Sequence, residues 1–142
     1  MKTNRLRIVL DTNVFLVSLA EQSPYSIIFD ALLEGKFELT VHNEIITEYE
    51  EVIGKRYDKE TVSDVLELIL HLDNIYRQEV YYQWGLIPND PDDNKFVDVC
   101  VASQSDYLVS NDKHFNILKT TRFPPVNLIN AENFIQILSE LS

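Results

Sequence analysis

The chain has 142 residues, 45% hydrophobic and 25% charged, a composition that supports one globular domain with a buried core and excludes a disordered or fibrous chain. Twelve basic against 23 acidic residues leave a net charge of -11, which excludes the broad basic face that holds nucleic acid through phosphate contacts. A phosphate substrate stays open through bound cations, which reverse the local field of a carboxylate cluster, and so does a basic partner chain.

Arg5-Leu6-Arg7-Ile8-Val9-Leu10 turns continuously apolar and stops at Asp11-Thr12-Asn13. This reads as a buried strand with Asp11 at its carboxyl end. Val14 to Ala20 continues as a short helix. Ser23 and Pro24 suit the N-cap and first position of a second helix, with Ile27, Ile28, Ala31 and Leu32 as its apolar face. Gly35 ends that helix, and Phe37 to Val41 alternates as a half-buried strand.

Asn43 is the expected cap of the next helix, whose stripe is Ile45, Ile46, Tyr49, Val52 and Ile53. At about 100° per residue, Glu48 lies about 40° beyond the Val52 edge of that stripe, near the core rim and able to reach a neighbouring strand end. Glu50 flanks the opposite edge. Val62, Val65, Leu66, Ile69 and Leu70 mark another amphipathic helix, from near Asp58 to near Asp73-Asn74. Ile75 to Trp84 is aromatic and reads as a short extended piece.

After the acidic loop Asp90-Pro91-Asp92-Asp93, the stretch Phe96 to Ser105 is a helix apolar on most sides. Cys100, the single cysteine, fills core volume within it and has no internal disulfide partner. Tyr107 to Val109 follows as a central strand, then a turn through Lys113-His114-Phe115. Val126 to Ile129 is a further strand, and Asn130 caps a last helix with Phe134, Ile137, Leu138 and Leu141 inward. The sequence has no repeats. No apolar run approaches the roughly 20 residues of a membrane span, and Met1 to Leu6 lacks the apolar centre of a secretory signal. A single domain over residues 1–142 and a cytoplasmic location are therefore expected.

Strands alternating with helices imply right-handed crossovers and a mainly parallel sheet covered on both faces, an α/β fold of three α/β/α layers. Such a sheet places its ligand site outside the carboxyl ends of its strands. Asp11 follows the first strand, Asp112 follows the Tyr107 strand, Asp92 or Asp93 opens the helix before it, and Glu48 lies less than two turns past the second strand. These acids are expected to converge. Close-set carboxylates repel by roughly 4 kcal/mol per pair at 4 Å and an effective dielectric of about 20, so their gathering calls for a divalent cation. Carboxylates without nearby Cys or a His pair suit Mg²⁺ or Mn²⁺, which lower the pKa of bound water and shield an attacked phosphate. Hydrolysis of a phosphodiester is the reaction that fits. With three glycines in the chain, glycine-rich phosphate loops are excluded.

The opening Ile8-Val9-Leu10-Asp11-Thr12-Asn13-Val14, the helix segment Glu48-Tyr49-x-x-Val52, the loop Asp90-Pro91-Asp92-Asp93-Asn94-Lys95-Phe96 and the stretch Asp106-Tyr107-Leu108-Val109-Ser110-Asn111-Asp112 resemble, in order and spacing, the PIN-domain nucleases. The resemblance covers about Arg7 to Ile137 and points to the prokaryotic branch of toxin-antitoxin toxins akin to VapC. It implies a Mg²⁺- or Mn²⁺-dependent endoribonuclease specific for single-stranded RNA, commonly a homodimer and often silenced by a small antitoxin protein. By the same resemblance Asp11, Glu48, Asp93 and Asp112 are the catalytic and metal-binding acids, with Asp92 the close alternative to Asp93. Asn13 and Ser110 resemble small polar supports that fix those carboxylates by hydrogen bonds.

Blander roles stand beside these. Asp11 could simply cap a helix, and for Asp90 a turn or N-cap is the preferred reading. His42 and His114 read as surface or capping residues, and His71 complements a helix carboxyl end. Tyr81, Tyr82 and Trp84 could stack unpaired bases, although covering the core or a dimer contact is the preferred role. Lys95, Lys113 and Arg122 read as solvated. A non-catalytic PIN-like protein-binding module and a metal-dependent phosphatase are the alternative functions.

Overall fold

The computed structural model describes residues 5–141. Five strands, β1 (Leu6–Leu10), β2 (Phe37–Val41), β3 (Ile75–Arg77), β4 (Tyr107–Val109) and β5 (Leu128–Ile129), form one sheet in the order β3-β2-β1-β4-β5. Every pairing is parallel, with Ile8 opposite Leu39 on one side of β1 and Leu10 opposite Val109 on the other. Six helices cover the sheet: α1 (Thr12–Ser18), α2 (Ser26–Leu33), α3 (Asn43–Gly54), α4 (Lys59–Leu70), α5 (Asn94–Ser103) and α6 (Ala131–Glu140). This is the three-layer α/β/α arrangement that alternating strands and helices impose. Among the described residues, no helix is long and apolar enough to cross a membrane.

The core follows from the apolar runs. Ile8, Val9 and Leu10 are fully buried because β1 is central and covered on both faces, as a continuous apolar strand requires. Helix α5 packs on β1, β2 and β4, so Phe96, Val97, Val99 and Cys100 are all buried. Phe15 stacks on Tyr49 with centroids 4.3 Å apart, which ties α1 to α3. Asn74, also buried, donates to the carbonyls of Leu32 (2.9 Å) and Phe37 (2.8 Å) and so joins α2, β2 and the approach to β3.

Several local expectations change. Helix α2 begins at Ser26 because the Ser23 hydroxyl accepts from the Tyr25 amide and the Ser23 carbonyl from Ser26, closing a turn before the helix. The N-cap of α3 is His42, whose Nδ1 accepts from the Glu44 amide, so Asn43 is already helical. Helix α4 ends at Leu70 and β5 shortens to two residues. Ile27 and Leu141 are exposed at 41% and 49% rather than inward. Asp58 and Asn130 do cap α4 and α6, accepting from Thr61 and Asn133.

Strand β1 is followed by crossovers that build β2 and β3 on one side, and the chain then passes to β4 and β5 on the other. The carboxyl ends of β1 and β4 thus flank the point where strand order reverses, where open α/β sheets form their crevice.

Candidate functional site

Asp11 stands at that point. Its amide donates to the Val109 carbonyl at 3.0 Å, extending the β1–β4 ladder by one residue, and its carbonyl accepts from Phe15 as α1 begins. Its carboxylate is not used as a cap. The Ser110 hydroxyl donates to it at 2.8 Å from the end of β4. Burial raises the Asp11 carboxyl from 3.8 to about 6, against the Ser110 hydroxyl and the Thr12 amide, which favour the anion; Asp112 and Glu48 add repulsion.

Asp93 closes the short 3-10 turn Pro91–Asp93 and leads into α5. Its Oδ2 is sealed from solvent and receives no hydrogen bond among the described residues. Burial, then the charges of Asp90, Asp11 and Asp112 and a hydrogen bond with Asp90, raise its carboxyl to about 7. Asp112 caps a 3-10 turn, Lys113–Lys119, accepting the His114 amide at 2.9 Å, while its own amide is held by the Ser110 hydroxyl at 3.0 Å.

Two residues that sequence reasoning assigned to blander roles complete the cluster. His114 Nδ1 lies 3.1 Å from Asp90 Oδ2, 3.4 Å from Asp112 Oδ1 and 3.7 Å from Asp93 Oδ2. Asp90, Asp93, Asp112 and His114 each present a ligand atom, all within 4.8 Å of one another. The signal for Asp90 was the following Pro91, which disfavours helical backbone at the preceding residue; Asp90 is indeed extended, at φ -145° and ψ 86°. For His114 the signal was its place two residues past Asp112, inside the turn that Asp112 caps.

Glu48 approaches from α3 on the Asp11 side. The Thr12 hydroxyl donates to Glu48 Oε2, and Lys95 Nζ lies 2.5 Å from Oε1. The helix stripe explains this: Ile45, Tyr49 and Ile53 are buried, and Glu48 is left half-buried beside them. Asp92 is exposed, and its carbonyl accepts from Lys95 Nζ at 2.9 Å. Asn13 is exposed too and borders the hollow lined by Asp11 and Asp112. An open groove of about 860 Å³ between α3 and the start of α5 reaches the site at Glu48 and Lys95. Its wall includes the 83–85 segment, anchored where the Trp84 amide donates to Asp98 at 3.0 Å.

The donors fit a hard divalent cation. They are carboxylate oxygens with one imidazole and no thiolate, and the buried Asp93 Oδ2 accepts no hydrogen bond among the described residues. Acids this close, two of them with raised carboxyls, are the signature of a site that a cation would relieve.

A family model described as PIN domain matches residues 7–114. No curated protein matches the sequence significantly. Among solved structures, the chain is similar to VapBC2 from Rickettsia felis bound to a DNA fragment from its promoter, with a TM-score of 0.61 and 16% identity over 88% of this chain and 98% of that one. It is also similar to PAE2754 from Pyrobaculum aerophilum, with a TM-score of 0.62 and 15% identity over 96% of each chain.

Proposed function

The chain belongs to the PIN-domain family, and on that footing we propose that it is a metal-dependent endoribonuclease hydrolysing phosphodiester bonds of single-stranded RNA. The observation that carries this reading is the gathering of Asp11, Asp93 and Asp112 with Asp90 and His114 at the carboxyl ends of β1 and β4, around a buried carboxylate oxygen that no protein group satisfies.

Asp90, Asp93, Asp112 and His114 would hold a Mg²⁺ or Mn²⁺ ion, with Asp11 beside them. Such an ion, when bound, supplies activation of water and neutralisation of phosphate charge. The chain's own residues do the rest. Ser110 orients the Asp11 carboxylate and the Asp112 backbone together, and Thr12 and Lys95 fix Glu48. Asp93, with its carboxyl raised to about 7, releases a proton as the site loads, so loading strengthens as pH rises. The groove beside Glu48 is open enough for an unpaired strand and leaves its backbone reachable.

We propose further that it is the toxin of a toxin-antitoxin pair, silenced by a small antitoxin protein, a reading that the likeness to VapBC2 supports; a cytoplasmic homodimer belongs to the same proposal. The test is incubation with labelled single-stranded RNA and Mn²⁺ beside an Asp11→Asn variant. Cleavage that needs the metal and vanishes in the variant supports the nuclease. Intact RNA with turnover of small phosphate esters would assign a phosphatase, and inertness towards both would leave a protein-binding module.

A further inference from the structure

The acids at this end of the sheet fall into two sets by their partners: Asp90, Asp93 and Asp112 gather around His114, whereas Glu48 is held by Thr12 and Lys95. The ligand atoms that lie within 4.8 Å of one another belong to the His114 end and do not include Glu48. At the Glu48 end the fold has built in a cation of its own.

Lys95 Nζ lies 2.5 Å from Glu48 Oε1, and it also donates to the Asp92 carbonyl at 2.9 Å and lies 5.5 Å from the centroid of the Phe96 ring. Its side chain is only 16% exposed, so a long chain that ordinarily sweeps solvent is fixed in one place. The other carboxylate oxygen of Glu48 is engaged by Thr12. Among the described residues, the other Lys and Arg ion pairs, Arg7 with Glu38 and Lys36 with Glu34, lie outside the site. Lys95 brings a cationic side chain to the Glu48 end of the site.

Phosphodiester hydrolysis at two-cation sites uses one positive centre on each side of the reacting phosphorus. We propose that this chain binds a single divalent cation, at the Asp90, Asp93, Asp112 and His114 end, and that the Lys95 ammonium supplies the second positive centre beside Glu48. The proposal rests on the metal-dependent nuclease reading above. Lys95 then acts by its own charge and place: it occupies the volume against Glu48 that another ion would need, and displacing it would separate a largely buried ion pair.

The test is the number of ions bound. The metal-stripped chain is titrated with Mn²⁺ while the free ion is followed by electron paramagnetic resonance, alongside Lys95→Met, which keeps the length and removes the charge, and Lys95→Arg, which keeps the charge. One tight ion on the native chain and on Lys95→Arg, and two on Lys95→Met, is the expected result. Two ions on the native chain, or one on a Lys95→Met protein with a native circular dichroism spectrum, overturns the assignment and leaves the nuclease reading intact. No ion on the native chain overturns both.

Discussion

Ser110 donates its hydroxyl to Asp11 Oδ2 at 2.8 Å across 99 positions of sequence, and the Ser110 Oγ in turn accepts the Asp112 amide at 3.0 Å. One buried side chain therefore couples the acid after β1 to the acid after β4. Ser110→Ala removes a donor that favours the Asp11 anion, so the Asp11 carboxyl rises further above about 6. Activity is expected to fall by about 10- to 100-fold, with the acid limb of the pH–rate profile displaced to higher pH. An unchanged profile would show that the serine is only filling space.

Asp93→Asn replaces a crowded acid, whose buried Oδ2 accepts no hydrogen bond among the described residues, by a neutral group of the same shape. At about pH 8 the metal-free variant should melt above the native chain, because the repulsion from Asp90, Asp11 and Asp112 is gone. Saturating Mn²⁺ should stabilise the native chain by about 2.7 kcal/mol at 100 times its Kd and barely move the variant. Melting temperatures with and without the ion check both halves.

The raised carboxyls also set the slope of stability against pH. Below 3.8, Asp11 and Asp93 are protonated in the folded and the unfolded chain alike and do not oppose folding. Between 3.8 and about 7 the unfolded chain ionises first, so stability falls as pH rises through about 6 for Asp11 and about 7 for Asp93. For Asp11 alone the loss is on the order of 3 kcal/mol. Denaturant titrations of metal-free protein at about pH 5 and about pH 8 span a little under half of the Asp11 loss, about 1.4 kcal/mol, because the unfolded carboxyl is already ionised at pH 5, and this part should diminish in Asp11→Asn.

Tyr49 donates to the Leu10 carbonyl at 2.6 Å, one residue before Asp11, and its ring stacks on Phe15. Tyr49→Phe removes only the hydrogen bond and is expected to cost about 1 kcal/mol. Tyr49→Ala also opens a cavity and is expected to cost about 3–5 kcal/mol. Equal losses in the two variants would contradict the packing described for α1 and α3.

The sheet was legible wherever a strand lay in its middle. β1, β2 and β4 announce themselves as apolar runs because both of their faces are covered, whereas β3 and β5 sit at the margins, carry weaker patterns and emerge shorter than the aromatic and Pro-flanked stretches suggested. Helix starts were missed where a side chain competed for the backbone, as Ser23 does in its turn and His42 does as a cap. Asp11, Glu48, Asp93 and Asp112 could be placed near one another because strand ends and the helix stripe fix their positions. Asp90, His114 and Lys95 could not, since each owes its place to a turn or an ion pair that forms only once α3, α5 and the Lys113–Lys119 turn have packed.

The outermost strands, Ile75–Arg77 and Leu128–Ile129, are three and two residues long. Either margin of the sheet therefore exposes too few free amides and carbonyls for another polypeptide to zip on as an added strand. A companion chain laid along either margin would gain few backbone hydrogen bonds, and runaway lateral stacking of sheets, the usual route to fibrils, has little purchase here.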